Sequence, residues 1–166
     1  MTSASTQFPH IPGVRSLHSP GPSNVPKAVL DAMTNQPMDM GDPRVDAFIA
    51  GCERGLRGLL KTKSADVFLC AANGHGAWEA MTVNLAAPGQ KVLILGTGHF
   101  SDSWAVLAEA MGVVVVRTPY IEGYPIDPNV LEQALRADTK NEIVAVFAVH
   151  TDTASSTTSD IPALRR

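Results

Sequence analysis

The first residues that could perform chemistry lie in a glycine-rich turn between an apolar run and an amphipathic stretch. They are Asn73, Gly74, His75 and Gly76. The pattern predicts a buried strand over 67–70, then this turn, then a helix over 77–86. Such a turn directs backbone N–H groups and the positive end of a helix to one point, which suits an anion, most often a phosphate. Glycines here are also typical of an ordinary turn, so the motif leaves both interpretations open.

A second glycine turn, Gly96-Thr97-Gly98, follows the apolar run 91–95. It resembles half of a dinucleotide-binding fingerprint. The third glycine is missing, and Arg117 stands near the end of the next strand, where that fingerprint has an acidic residue. The pattern therefore argues against a nicotinamide cofactor. Phe100, in the same loop, can stack on a planar ligand or pack in the core.

A third polar loop contains His150, Asp152 and Thr153, directly after the apolar run 143–149. These side chains can be catalytic, although Asp and Thr are common loop caps. The remaining histidines show no metal-ligand spacing, and no Ser/His/Asp or Cys/His nucleophile arrangement follows from the spacing. We expect no metal site.

Predicted strands and helices alternate through most of the chain. Strands are expected over 67–70, 91–95, 113–116 and 143–149. Helices are expected over 27–33, 42–60, 77–86, 100–111 and 129–137, and a further helix is expected to start at 160–162. This alternation predicts an α/β fold with a mostly parallel sheet flanked by helices. Because ligands bind beyond the carboxyl ends of parallel strands, the three polar loops are expected to converge there.

The chain divides by composition into two parts. Prolines at 9, 12, 20, 22 and 26 predict an irregular N-terminal arm over 1–26, followed by an α/β domain over 27–166. Apolar residues from Val45 to Leu60 recur at three- and four-residue steps, which predicts an inward-facing helical stripe. The sequence stops at Arg166, just inside an expected helix, so we expect a truncated domain.

Composition excludes several classes of protein. The 166 residues are 45% hydrophobic and 17% charged, with a net charge of -3, which is typical of a globular domain and gives no electrostatic case for nucleic acid. No apolar run reaches membrane-spanning length, and the N-terminus does not resemble a secretory signal. Cys52 and Cys70 lack metal-ligand spacing, and Cys70 is expected in a buried strand. We expect a cytoplasmic protein.

Three stretches together resemble the N-terminal part of class V aminotransferases, in the alanine–glyoxylate and serine–glyoxylate branch. They are Pro20-Gly21-Pro22-Ser23-Asn24-Val25-Pro26, Asn73-Gly74-His75-Gly76-Ala77-Trp78-Glu79-Ala80 and His150-Thr151-Asp152-Thr153-Ala154. They occur in the order that the family has them and span residues 20 to about 165. This resemblance implies part of the large domain of a fold type I, pyridoxal-phosphate-dependent transferase, which works as a homodimer on amino acids and 2-oxo acids.

The resemblance also implies roles for individual residues. Asn73, Gly74, His75 and Gly76 match the positions that hold the phosphate of pyridoxal 5'-phosphate. Phe100 matches the aromatic residue that stacks on the pyridine ring, and Thr153 matches the hydroxyl residue near the phenolic oxygen. Gly21 matches an arm near the substrate. The complete enzyme would transfer an amino group from serine or alanine to glyoxylate.

Several positions depart from the family pattern. Ser19 and Ser156 stand where many relatives have glycine, and Asp152 replaces the usual glutamate. No lysine of this chain has the context of the family's Schiff-base lysine, and we assign no catalytic residue; we therefore expect the chain alone to be inactive. The alternatives are another class V enzyme, such as a phosphonate transaminase or a cysteine desulfurase, or a non-catalytic remnant that dimerises or binds phosphate.

Overall fold

A computed structural model describes Gly13 and residues 17–166 of the chain. Residues 1–12 and 14–16 lie outside the described part, so the predicted arm over 1–26 falls partly on them and stays a prediction. The chain forms two compact units, one ending at Ile49 and one running from Ala50 to Arg166. In the described residues, no helix is long and apolar enough to cross a membrane.

The helices predicted near the N-terminus are confirmed as α1 (Lys27–Met33) and α2 (Pro43–Leu59). Asp42 precedes α2, and its carboxylate accepts hydrogen bonds from the backbone N–H and the side chain of Arg44. The predicted inward stripe of α2 is wrong, because Phe48 is 63% exposed and Leu59 is 75% exposed. The period of the pattern identified the helix, but the pattern cannot specify which surface covers its apolar face.

The second unit alternates helices and strands as expected. In order it contains α3 (Gly74–Leu85), β1 (Lys91–Leu95), α4 (His99–Ala110), β2 (Val114–Arg117), α5 (Pro128–Ala137), β3 (Ile143–Ala148), β4 (Thr151–Asp152), β5 (Thr157–Thr158) and α6 (Ile161–Leu164). The α/β class is thereby confirmed. Asp127 and Asp160 cap α5 and α6 by accepting hydrogen bonds from backbone N–H groups of the first turn.

The main sheet has the order β2-β1-β3, and both pairings are parallel, as predicted. The central strand β1 is buried on both faces. Val92 and Ile94 pack on one face with the α4 residues Trp104 and Ala108. Leu93 and Leu95 pack on the other face, where the α5 residue Leu131 also lies. The sheet is therefore sandwiched between helices, which explains the continuous apolar sequence of β1.

The predicted strand over 67–70 is wrong. Residues 65–73 form neither helix nor strand, Phe68 is 84% exposed, and Cys70 is exposed rather than buried. A buried strand needs a neighbouring strand for its backbone N–H and C=O groups. Among the described residues, the sheet ends at β2 and β3, and neither strand pairs with this segment.

The start of α3 and the structure of residues 151–159 also differ from the prediction. Helix α3 begins at Gly74, three residues earlier than expected, because Asn73 supplies the N-cap. The polar stretch 151–159, expected as a loop, contains a short antiparallel pair in which Thr151 pairs with Thr158 and Asp152 pairs with Thr157. The hairpin places Asp152 in a buried position, as described below.

Candidate functional site

The glycine-rich turn forms the first turn of α3. The side-chain oxygen of Asn73 accepts a hydrogen bond from the N–H of Gly76 at 3.1 Å. Gly76 also lies so close to the preceding chain that an added Cβ would be 2.6 Å from that of Ala72. The N–H groups of Gly74 and His75 make no hydrogen bond with the described part of the chain, since a helix offers its first turn no internal acceptor. They are available to an anion.

A cavity of about 420 Å³ lies at the carboxyl end of β3, against α3 and α4. Its lining residues are Trp78, Met81, Phe100, Trp104, Ala148, Val149, His150, Thr151 and Thr153. Phe100 and Thr153, two of the residues proposed from the resemblance, therefore face the same space. His150 is the one titratable side chain among these lining residues, so the wall is mainly apolar with a few polar groups, as is typical of a cofactor pocket.

Ring contacts connect the glycine-rich turn to this cavity. The rings of His75 and Trp78 meet edge to face with centroids 4.9 Å apart. Trp78 in turn meets Phe100 edge to face at 6.1 Å. The first turn of α3 and the Phe100 ring consequently lie on the same side of the sheet. The turn at 73–76 and the loop at 96–103 converge as the sequence predicts, although no strand precedes the former.

The other glycine turn cannot grip a phosphate in the same way. The hydroxyl oxygen of Ser101 accepts hydrogen bonds from the N–H groups of Thr97, at 2.9 Å, and Gly98, at 3.1 Å. The N–H of Phe100 donates to Oδ2 of Asp152 at 3.0 Å. These internal acceptors occupy the N–H groups of Thr97, Gly98 and Phe100, so this turn offers fewer free donors to an anion than the start of α3 does.

Asp152 occupies the space between this helix start and the third polar loop. It is 0% exposed. Its Oδ2 accepts hydrogen bonds from Thr97 Oγ1, at 3.1 Å, as well as from Phe100. Its Oδ1 accepts the N–H of Ala154 at 3.2 Å. The sequence left open a catalytic or capping role for Asp152, and the contacts show a cap that serves both segments.

The sequence did not identify two residues of the site. Trp78 lines the cavity, and its ring contacts both His75 and Phe100. Its position directly after the glycine-rich turn is the sequence feature that could have indicated this role. Ser101 fills the helix start, and its position three residues after Gly98 is typical of an N-terminal capping residue. Gly21 is exposed and lies in the other compact unit, so its proposed role near the substrate stays a prediction.

A larger cavity of about 550 Å³ lies elsewhere in the second unit, against Gly96, Tyr120, Tyr124 and Ile126. It contains none of the site residues proposed from the sequence. The Tyr120 phenol donates a hydrogen bond to Asp102, and this bond raises the pKa of Tyr120. We place the candidate site in the smaller cavity, because that cavity combines Phe100 and Thr153 with the adjoining free N–H groups of α3.

An α/β fold with a glycine-rich helix start beside a cavity is typical of enzymes that bind a phosphorylated cofactor. Comparison with known proteins shows which of these enzymes the chain is similar to. No family model matches the chain. It is 38% identical over 149 residues to an L-aspartate–glyoxylate aminotransferase of Paracoccus denitrificans, covering 89% of this chain and 37% of that protein. It is 36% identical to a serine–glyoxylate aminotransferase of Methylorubrum extorquens, covering 93% of this chain and 39% of that protein. An alanine–glyoxylate aminotransferase from Nostoc superposes with a TM-score of 0.77 at 26% identity, over 94% of this chain and 41% of that one.

The chain is thus similar to the N-terminal part of class V aminotransferases, in the glyoxylate branch, and its fold is that of fold type I. It spans about two fifths of the length of these relatives. The comparisons do not favour a phosphonate transaminase or a cysteine desulfurase, because these relatives are named glyoxylate aminotransferases.

Proposed function

We propose that the chain is the N-terminal, cofactor-binding portion of a pyridoxal-phosphate-dependent aminotransferase that uses glyoxylate as amino acceptor and serine or alanine as donor. The observation that carries the proposal is the pair of free N–H groups at Gly74 and His75, beside a cavity walled by Phe100. The cofactor has an anionic group and a flat ring, and these two features of the site match them in kind.

The phosphate is held at the start of α3. The N–H groups of Gly74 and His75 donate hydrogen bonds to it, and the positive end of the helix adds electrostatic attraction. Asn73 and Gly76 contribute by forming the turn, since the Asn73 side chain caps the helix and Gly76 permits the close approach to Ala72. Hydrogen bonds with a charged partner contribute about 1.5–3 kcal/mol each.

The ring lies in the cavity. Phe100 is held by its contact with Trp78 and by its backbone bond to Asp152, so it offers a rigid aromatic surface for the pyridine. Thr153 lines the same cavity and provides a hydroxyl group for the phenolic oxygen. When bound, pyridoxal phosphate supplies the electron sink for amino-group transfer. This chain's residues bind and orient the cofactor, and none is assigned to move a proton.

The wider assignments rest on the resemblance. We propose a cytoplasmic homodimer that takes an amino acid and a 2-oxo acid as substrates. The relative named for aspartate and the relative named for serine are almost equally identical to this chain, at 38% and 36%, so sequence identity does not choose between amino donors. The donor is therefore tested directly, in a protein that contains both this chain and a Schiff-base lysine. If sedimentation equilibrium of that protein shows only monomer at micromolar concentration, the proposed homodimer is contradicted.

Gly74 permits a sharp test of phosphate binding. It is the first residue of α3, where proline is well tolerated, and the preceding Asn73 has the extended backbone that proline requires of its neighbour. Gly74→Pro therefore removes one N–H while it keeps the helix. The matched control is Gly74→Ala, which keeps the N–H and places a Cβ where nothing lies within 4 Å.

Binding of pyridoxal 5'-phosphate is measured by quenching of tryptophan fluorescence, because Trp78 and Trp104 both line the cavity. We expect the wild-type chain and Gly74→Ala to bind equally and Gly74→Pro to bind about tenfold more weakly, as expected for the loss of one charge-assisted hydrogen bond. Equal binding by all three chains, or no binding by the wild type, would refute the proposal.

A further inference from the structure

The Asp152 carboxylate connects two backbone segments that both contribute side chains to the cavity. Oδ2 accepts the N–H of Phe100, whose ring lines the cavity, at 3.0 Å. Oδ1 accepts the N–H of Ala154, the residue after Thr153, at 3.2 Å. One side chain therefore holds both the segment that carries Phe100 and the segment that carries Thr153.

Burial makes this connection stiff. Asp152 is 0% exposed, and within the described part of the chain none of its polar contacts is a cation. Its charge is compensated by the N–H groups, by the hydroxyl of Thr97 and by the positive end of α4. Withdrawal of the carboxylate would leave several buried donors without an acceptor, so the arrangement has little freedom to relax.

The surroundings of Asp152 also restrict its position. A Cβ added at Gly98, whose φ is +144°, would lie 3.2 Å from Oδ2, so glycine there allows the close approach. The hydroxyl of Ser155 donates to the carbonyl of Thr97 at 3.3 Å and makes a second connection between the same two segments. The separation of α4 from the β4–β5 hairpin is thus fixed by short polar contacts rather than by apolar packing alone.

We propose that Asp152 is a positioning residue that sets the gap between Phe100 and Thr153 across which the cofactor ring lies. This inference rests on the proposed function, and it adds a residue that does not itself touch the cofactor. The proposed role of Asp152 distinguishes the part of the site that holds the ring from the part that holds the phosphate. The ring gap depends on Asp152, whereas the phosphate grip at Gly74 and His75 has no contact with it.

The test compares Asp152→Asn with Asp138→Asn in the full 166-residue chain. Asn keeps the shape of Asp but cannot accept at both side-chain ends, so one of the two connections is lost. Asp138 is the matched control, since its carboxylate also accepts two backbone N–H groups, from Glu142 and Ile143, away from the cavity. Affinities for pyridoxal 5'-phosphate and, by competition, for inorganic phosphate are measured by tryptophan fluorescence.

We expect Asp152→Asn to weaken pyridoxal 5'-phosphate about tenfold and to change inorganic phosphate affinity less than about twofold. Asp138→Asn should change neither affinity by more than about twofold. Equal loss of both ligands by Asp152→Asn would indicate a purely structural role and would overturn the inference. Unchanged binding of both ligands would overturn it too. If Asp152→Asn does not fold, Thr97→Val, which removes one donor to Oδ2, should show the same selective loss to a smaller extent.

Amide hydrogen exchange separates failure of this inference from failure of the proposed function. In Asp152→Asn without ligand, amide exchange should accelerate at whichever of Phe100 and Ala154 loses its acceptor, and in Asp138→Asn at neither of them. If the wild-type chain binds no pyridoxal 5'-phosphate, the proposed function fails and the cofactor role of Asp152 fails with it. If the wild type binds and the Phe100 and Ala154 amides are unaffected by Asp152→Asn, only the role of Asp152 is rejected.

Discussion

The indole rings of Trp78 and Trp104 stack in parallel, with centroids 5.3 Å apart and planes 6° apart. Trp104 also stacks on Phe147 of β3 and donates its Nε1–H to the hydroxyl of Thr82. The stack therefore joins α3, α4 and the sheet. Because α3 carries the free N–H groups and α4 carries Phe100, it fixes the phosphate end of the site relative to the ring end.

Loss of the central ring of this stack should destabilise the protein strongly. Trp104 is 3% exposed, so Trp104→Ala leaves a cavity and removes the indole N–H that donates to the Thr82 hydroxyl. We expect the free energy of unfolding to fall by about 3–5 kcal/mol. Urea denaturation followed by circular dichroism measures it. Val106→Ala, on the same helix but 59% exposed, should change stability by less than about 0.5 kcal/mol. Similar losses in both variants would contradict the role of the stack.

Gly96 should not tolerate alanine. An added Cβ would lie 2.5 Å from the Tyr120 ring and 2.7 Å from the carbonyl oxygen of Thr118, so we expect a loss of at least about 1–3 kcal/mol. The contrasting variant is Gly55→Ala in α2, where a Cβ meets nothing within 4 Å and helix propensity should raise stability by about 0.5–1 kcal/mol. Thermal denaturation of the two variants should shift in opposite directions, and a stabilising Gly96→Ala would refute the close packing.

Ser156 is strained, and glycine should relieve the strain. Its φ is +58°, in the left-handed region, which explains why the sequence resemblance places glycine at this position. We expect Ser156→Gly to raise the free energy of unfolding by about 0.5–1 kcal/mol. Asn141→Gly, with a φ of +52°, is the control and should gain less, since asparagine tolerates this region better than serine. A loss of stability in Ser156→Gly would show that the turn differs from the one described.

Asp138 should make stability depend on pH. Hydrogen bonds from the N–H groups of Ile143 and Glu142 lower the pKa of Asp138 below its ordinary value of 3.8. A lowered folded pKa means that the stabilisation is present above about pH 3.8 and is lost as the pH falls through the folded pKa. The difference in melting temperature between wild type and Asp138→Asn should therefore narrow below that pH. A difference that stays constant down to pH 2 would contradict this assignment.

The sequence predicts local elements well because their signals are local. Proline or aspartate at helix starts and β-branched runs in β1 and β3 located most boundaries to within a few residues. The predicted strand over 67–70 failed for a non-local reason, since strand formation depends on a pairing partner that the segment itself does not specify. The exposed apolar face of α2 has the same cause, because the periodicity of the sequence defines an apolar face but does not specify which residues pack against it.

The site was predictable in its parts but not in its connections. The motif resemblance and the glycines at a helix start both indicate the 73–76 turn, and the N–H groups of Gly74 and His75 are free there within the described part of the chain. No spacing rule could show that Asp152, 52 residues after Phe100, accepts its backbone N–H, because such a bond depends on how the hairpin packs on α4. The same holds for Trp78, whose neighbours come from another helix.

The most direct test of the central claim is the amide NMR spectrum of the ¹⁵N-labelled chain during titration with pyridoxal 5'-phosphate. We expect the largest shifts at the N–H groups of Gly74 and His75, with smaller shifts at Phe100 and Thr153. Titration with inorganic phosphate should shift Gly74 and His75 alone. Shifts confined to the start of α4 or to the cavity beside Tyr120, with Gly74 and His75 unmoved at saturation, would contradict it.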